Sequence, residues 1–83
     1  MKVLYFAWVR ERLGRSQEEI AVPSELVTIR DLVGWLRDRD EAGRLAFADS
    51  SAIRAAADHE HVPLDHPLAG VSELALFPPV TGG

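Results

Sequence analysis

The last seven residues of this 83-residue chain are the ones whose types and spacing could do chemistry. In order they are Phe77, Pro78, Pro79, Val80, Thr81, Gly82 and Gly83. Two consecutive prolines fix two φ angles and remove two backbone donors, so a strand that reaches Phe77 cannot continue through them as a central strand. We therefore expect the chain from Pro78 onward to leave the fold as an extended, polyproline-like tail that reaches roughly 20 Å.

The two final glycines indicate what such a tail could do. Gly82 and Gly83 carry no side chains, so a narrow channel in another protein could admit them, and backbone could approach them closely from either side. A frayed terminus is the ordinary explanation of a Gly-Gly end. A stiff Pro-Pro pair directly after an apolar strand favours a reactive arm instead.

Composition and charge exclude several classes of function. The net charge of −4 argues against nucleic acid or an anionic membrane as the partner. No stretch approaches the roughly 20 apolar residues of a membrane-spanning helix. The apolar run 3–9 is short for a signal core and has no cleavage site, so we expect a cytoplasmic protein.

Metal and thiol chemistry are not expected. The chain has no cysteine, which excludes a disulfide framework, a thiolate nucleophile and cysteine-based metal sites. His59, His61 and His66 lack the helical spacing of metal ligands, so we interpret them as solvated residues in or near turns. No motif typical of a catalytic centre is present.

The first apolar run predicts a strand over residues 3–9. Alternation divides its side chains into an inward set and an outward set. The inward set is Val3, Tyr5, Ala7 and Val9, and the outward set is Leu4, Phe6 and Trp8. The pattern alone leaves open whether the second set faces a partner or is covered by loops. A polar turn over 10–16 with Gly14 in a left-handed conformation then leads to an antiparallel second strand, 18–22.

A helix follows, with Thr28 as its N-cap, Asp31 as the capping-box acid and its end near Arg39. Its apolar stripe comprises Ile29, Leu32, Val33 and Leu36. Residues 44–49 predict a turn of helix or irregular chain that places Leu45 and Phe47 in the core.

The last third of the chain is predicted to be strands. Residues 52–57 and 61–64 form two of them around a turn at 58–60, and residues 73–77 form the last. In the last strand, Leu74 and Leu76 point inward while Ala75 and Phe77 point outward. We predict an α+β fold: a mixed sheet of four to five strands on one main helix, with the last strand parallel to the first at the sheet centre. The domain spans 1–77 and the tail 78–83.

The tail motif resembles the C-terminal signature of the MoaD- and ThiS-type ubiquitin-like sulfur carriers, in particular of molybdopterin synthase small subunits. Similarity extends to residues 3–7, 9–11 and 13–14, to residues 28–32 at the helix start, and to Asp65-His66-Pro67-Leu68. The resemblance implies a β-grasp fold. The chain departs from the family at residues 70–73, where it is one residue longer.

The resemblance also implies a mechanism. An ATP-using, E1-like adenylating enzyme would activate the carboxyl group of Gly83, and a sulfur donor would convert it to a thiocarboxylate. The tail, with Gly82 before its end, would deliver that sulfur to a cyclic pyranopterin within the large subunit of molybdopterin synthase, in a heterotetramer. The chain itself would bind no cofactor. Phe6 and Phe77 would anchor the partners, and the segment Pro78, Pro79, Val80 and Thr81 would lie in their channels.

Other functions stay open at this stage. A sulfur carrier for thiazole synthesis or another pathway would use the same chemistry with a different acceptor. A ubiquitin-like modifier would join its C-terminus to lysines of target proteins. A binding module would have an inert tail.

Overall fold

The computed structural model describes residues 1–79, in which five strands form one mixed sheet in the order β2-β1-β5-β3-β4. The strands are β1 (Lys2–Tyr5), β2 (Gln17–Glu19), β3 (Arg54–Ala57), β4 (Glu60–Val62) and β5 (Glu73–Phe77). β1 and β5 are parallel neighbours near the sheet centre, and the other three pairings are antiparallel. The predicted α+β, β-grasp architecture is confirmed, including the pairing of the last strand with the first.

Three helices and one 3₁₀ turn connect the strands. They are α1 (Ala7–Leu13), α2 (Ile29–Arg39), α3 (Glu41–Ala46) and the 3₁₀ turn Ser50–Ala52. The predicted capping box of α2 is present, because the Thr28 hydroxyl accepts from the Asp31 amide and the Asp31 carboxylate accepts from the Thr28 amide. None of the helices within residues 1–79 is long and apolar enough to cross a membrane.

The core lies between one face of the sheet and the helices. The four stripe residues of α2 are buried, as predicted. From the sheet, Val3 and Tyr5 of β1 and Leu74 and Leu76 of β5 point into the same cluster. Phe47 fills the space beside Tyr5, with ring centroids 6.5 Å apart.

The predicted strand over residues 3–9 is wrong in its second half. The chain turns at Phe6, whose carbonyl accepts from the amides of Val9 and Arg10, and α1 begins there. Helical spacing buries Val9 and Leu13 on one side. Gly14 ends the helix in the left-handed conformation expected of it, with φ 75°.

Smaller differences concern boundaries. β2 covers Gln17–Glu19 instead of residues 18–22, and the 3₁₀ turn delays the third strand to Arg54–Ala57. Helix α3 starts at Glu41, because the Asp40 carboxylate accepts from the Gly43 amide. That start turns Leu45 outward, where it is 59% exposed, so its predicted place in the core is wrong.

Candidate functional site

The base of the tail is the end of a central strand. β5 is hydrogen-bonded to β1 on one side and β3 on the other, and it ends at Phe77. Pro78 and Pro79 follow at once and are half-buried. Because both neighbours hold β5 in register, the point from which the tail starts is fixed relative to the body of the protein.

The face of the sheet away from the helices presents an apolar surface beside that point. We name Leu4, Phe6, Ala56, Ala75 and Phe77 the outer patch. The strand register aligns three of them in one row across β1, β5 and β3, with Leu4 opposite Ala75 and Ala75 opposite Ala56.

The two predicted anchors lie in this patch. Phe77 belongs to the outward face of β5, as its alternation predicts, and is half-buried. Phe6 keeps an extended backbone (φ −129°, ψ 157°), and its amide donates to the Leu76 carbonyl at 3.2 Å. Its side chain is 45% exposed. Phe6 and Phe77 therefore stand at the end of neighbouring strands, next to the tail.

Trp8 is not part of the outer patch, contrary to the predicted alternation. It lies on α1, half-buried against the core, with the Arg12 guanidinium 4.3 Å from its ring centroid. The prediction failed because it extended the strand period of two through residues that have the period of a helix.

Sequence reasoning missed one aromatic neighbour of Phe77. The ring of His61, on β4, lies 5.3 Å from that of Phe77 in an edge-to-face arrangement at 73°. The contact passes diagonally over β3, where Ala56 lies opposite His61 and Arg54 lies opposite Phe77. The sequence predicts only a solvated residue in or near a turn for His61, and no local sequence signal reveals the pairing.

A half-buried ion pair fixes the sheet to the end of α2 on the core side. Arg39 donates to both carboxylate oxygens of Glu18 at 3.0 Å, and the Tyr5 hydroxyl donates to the same carboxylate at 2.6 Å. Burial raises the pKa of Glu18, but the hydrogen bonds from Arg39 and Tyr5 and the charges of Arg39 and Arg15 outweigh it, so the pKa falls to about 2. Burial, reinforced by the Glu18 carboxylate, raises the pKa of Tyr5 far above its usual value.

Within residues 1–79, no three histidine, cysteine or acidic side chains converge as metal ligands would. His59 instead lies 3.2 Å from the Glu73 carboxylate. The backbone carbonyl of His66 accepts from the Ile29 amide at the start of α2.

A family model described as the ThiS family matches residues 3–83. The chain belongs to the ThiS family. This ThiS-family chain is 39% identical over 83 residues to the molybdopterin synthase sulfur carrier subunit of Escherichia coli (strain K12), covering 100% of the chain and 99% of the relative. It is 31% identical over 87 residues to the subunit of the same name from Mycosarcoma maydis, covering 100% of the chain and 92% of the relative.

Solved structures with the same fold include two close in size to this ThiS-family chain. The putative molybdopterin converting factor, subunit 1, of Pyrococcus furiosus has a TM-score of 0.72 at 30% identity, with 95% of each chain covered. SAMP1 of Haloferax volcanii has a TM-score of 0.70 at 26% identity, with 100% of this chain and 98% of that one covered.

Four of the predicted site residues, Val80, Thr81, Gly82 and Gly83, lie outside the residues that the structure describes. The family match extends over all four. The structure places the other predicted residues together, since Phe6, Phe77, Pro78 and Pro79 surround one end of the β1–β5 pair.

Proposed function

We propose that this protein is the sulfur-carrier small subunit of molybdopterin synthase, and that the carboxyl group of Gly83 is its working group. The observation that carries the proposal is similarity over the whole chain to the sulfur carrier subunit of Escherichia coli, at 39% identity. The position of the tail's base supports it, because the tail starts from the end of a central strand beside a partly exposed apolar patch.

The chemistry follows from the electrophilicity of the carboxyl group. A carboxylate resists attack by a nucleophile, so an adenylating partner first joins it to AMP from ATP and releases pyrophosphate. A sulfur donor at the oxidation level of hydrosulfide then attacks the carbonyl carbon of Gly83. The C–S bond forms as the bond to AMP breaks, which leaves a thiocarboxylate. In the large subunit, that sulfur would bond to the cyclic pyranopterin precursor of the molybdenum cofactor, and water would then hydrolyse the resulting thioester, breaking the C–S bond to Gly83 and restoring its carboxylate.

The structure supports this role through the base of the tail. Ordering a flexible residue costs about 1–2 kcal/mol of backbone entropy, which a partner's channel must offset. Pro78 and Pro79 have restricted φ angles before any partner binds, so less entropy is lost there. Gly82 and Gly83 leave the tip of the tail without side chains, while Val80 and Thr81 would lie in the channel behind it.

Docking energy would come from the outer patch. Phe6 and Phe77 are the largest apolar side chains beside the tail, and full burial of such a side chain contributes about 1.5–3 kcal/mol. Their place at the tail's base means that a partner covering them also receives the tail. We propose the same patch for the large subunit and for the adenylating enzyme, which the carrier would visit in turn in the cytoplasm. With the large subunit, it would form a heterotetramer.

A second function deserves a test because of one structural neighbour. The Haloferax volcanii small archaeal modifier protein 1 has a TM-score of 0.64 at 25% identity, with 96% of this chain covered. A modifier would transfer its activated C-terminus to an amine of a target protein instead of accepting sulfur.

Intact mass measurement separates these functions. The protein is incubated with the adenylating enzyme, ATP and a sulfur donor, and a parallel sample omits the donor. The mass change of one oxygen replaced by one sulfur, localised to the C-terminal peptide and absent without donor, is the expected result. A ladder of protein conjugates would favour the modifier, and an unchanged mass would contradict both functions.

A further inference from the structure

We infer that the docking surface has a hydrogen-bond-donating flank, formed by the Arg54 guanidinium and the His61 imidazole, which binds a carboxylate side chain of the large subunit. The inference rests on the proposed function, and it specifies the chemistry of the partner. The outer patch alone would accept any apolar surface, whereas a charged flank beside it selects a partner with an acidic group at one position.

Arg54 is held beside the base of the tail. It is the first residue of β3 and lies directly opposite Phe77, the last residue of β5. One of its terminal nitrogens donates to the backbone carbonyls of Ser51 and Ile53 at 3.1 and 3.3 Å. These bonds use one nitrogen, and the residue is exposed, so the rest of the guanidinium is available for a carboxylate.

His61 supplies the second donor of the flank. Its ring meets Phe77 edge-to-face, and the residue is exposed. It lies opposite Ala56, whereas Arg54 lies two residues earlier on β3 and on the same face of the sheet. Arg54 lies opposite Phe77 in the strand register and His61 contacts the Phe77 ring, so both residues border Phe77 on the β3–β4 side of the outer patch.

The local charge differs in sign from that of the whole protein, which is −4. In the described part of the chain, Arg15, Arg30, Arg37 and Arg39 each contact a carboxylate. The other arginines there have no such partner, and among them only Arg54 lies on a strand of the sheet, since Arg10, Arg12 and Arg44 lie on helices. Acidic groups nearby are directed elsewhere. Glu60 alternates to the other face from His61, Glu73 pairs with His59, and the Asp49 carboxylate accepts from Ser51.

A carboxylate is the partner group that fits these donors. Guanidinium and carboxylate pair through two parallel hydrogen bonds, and the pairing is strengthened where an adjoining apolar contact excludes water. The large subunit would thus place an apolar side chain on Phe77 and an aspartate or glutamate over Arg54 and His61. An ion pair at the edge of an interface also raises the association rate and makes binding sensitive to salt.

Affinity for the large subunit from the same organism tests the inference. Arg54→Glu reverses the charge of the flank, and Arg44→Glu is its matched control, because Arg44 is an exposed arginine on α3 and changes net charge equally. His61→Phe keeps an aromatic ring against Phe77 but removes the N–H donors. Calorimetric titrations at low and high salt, with melting curves to verify folding, give the comparison.

We expect Arg54→Glu to weaken binding of the large subunit roughly tenfold at low salt and less at high salt. His61→Phe should bind several-fold more weakly than the unmodified protein, and the affinity of Arg44→Glu should stay within about twofold of it. Equal affinities for Arg54→Glu and Arg44→Glu would overturn the inference. Wild-type affinity in His61→Phe would remove His61 from the flank. Failure of the unmodified protein to bind the large subunit would instead contradict the proposed function.

Discussion

Leu76 and Phe77 are adjacent in β5, but Leu76 should stabilise the fold and Phe77 should bind the partner. Replacing each of them with alanine therefore separates the effect on folding from the effect on docking. Leu76 is 0% exposed in the core, whereas Phe77 is half-buried in the outer patch. Leu76→Ala removes a fully buried side chain and should cost about 2–5 kcal/mol. At roughly 4–8 °C per kcal/mol for a domain of this size, its melting temperature should fall by roughly 8–40 °C.

Phe77→Ala should have the reverse effect. Its main aromatic partner is His61, and such a contact contributes about 0.5–1.5 kcal/mol to stability. Because Phe77 is already half-buried, docking can bury only the rest of its side chain. About half of the value for full burial, or about 0.8–1.5 kcal/mol, should therefore be lost in binding, which is roughly a 4- to 12-fold weaker complex with the large subunit. Circular dichroism melts and calorimetric titration measure the two effects. A Phe77→Ala variant that melts as early as Leu76→Ala, yet binds normally when folded, would refute the assignment of Phe77 to the docking surface.

Two further predictions concern the framework. A Cβ at Gly43 would overlap the backbone carbonyl of Leu36, so Gly43→Ala should destabilise the protein by about 1–3 kcal/mol or more. Gly34 has open space around it, so Gly34→Ala should stabilise α2 by up to about 1 kcal/mol. Similar melting curves for the two variants would show that α2 and α3 are not so closely packed. The folded-state pKa of Glu18, about 2, lies below its ordinary value of 4.5, so its contribution to the unfolding free energy, about 3 kcal/mol at most, is complete above pH 5 and is lost as pH falls toward 2. Urea titrations at several pH values in that range should show that the unfolding free energy falls less steeply with decreasing pH in Glu18→Gln than in the unmodified protein. The same pH dependence in both proteins would contradict the ion pair with Arg39.

Local signals predicted α2 and β5 well. The Thr28–Asp31 capping box and the stripe that follows depend only on residues within a few positions of each other, so sequence spacing determines them. The same holds for β5, whose alternation and terminal Pro-Pro pair fix both its faces and its end. The tail's starting point was therefore available from sequence.

The turn at Phe6 could not be predicted from local sequence signals. An apolar run such as residues 3–9 is compatible with a strand and with a helix, and tertiary contacts decide which of the two forms. Here, the Phe6 amide pairs with Leu76, far along the chain, and α1 then buries Val9 and Leu13 in the core. The spacing of Val9, Leu13 and Gly14 was the one local sign of a helix.

The flank of the outer patch depends on strand register. Arg54 lies beside Phe77 because β3 and β5 pair antiparallel with those residues opposite each other. His61, opposite Ala56, reaches Phe77 diagonally across β3. Neither relation follows from sequence spacing, since 16 or more positions separate the residues in each pair. Such contacts become visible only when the sheet order is known.

The central claim is that the carboxyl group at Gly83 carries the sulfur. Its most direct test is a single-turnover reaction of thiocarboxylated protein with the large subunit and the cyclic precursor, for the chain ending at Gly83, a chain ending at Gly82 and a chain extended by one alanine. All three are first treated with the adenylating enzyme, ATP and sulfur donor. We predict that dithiolene product forms only with the chain that ends at Gly83. Equal product from either altered chain would contradict the claim.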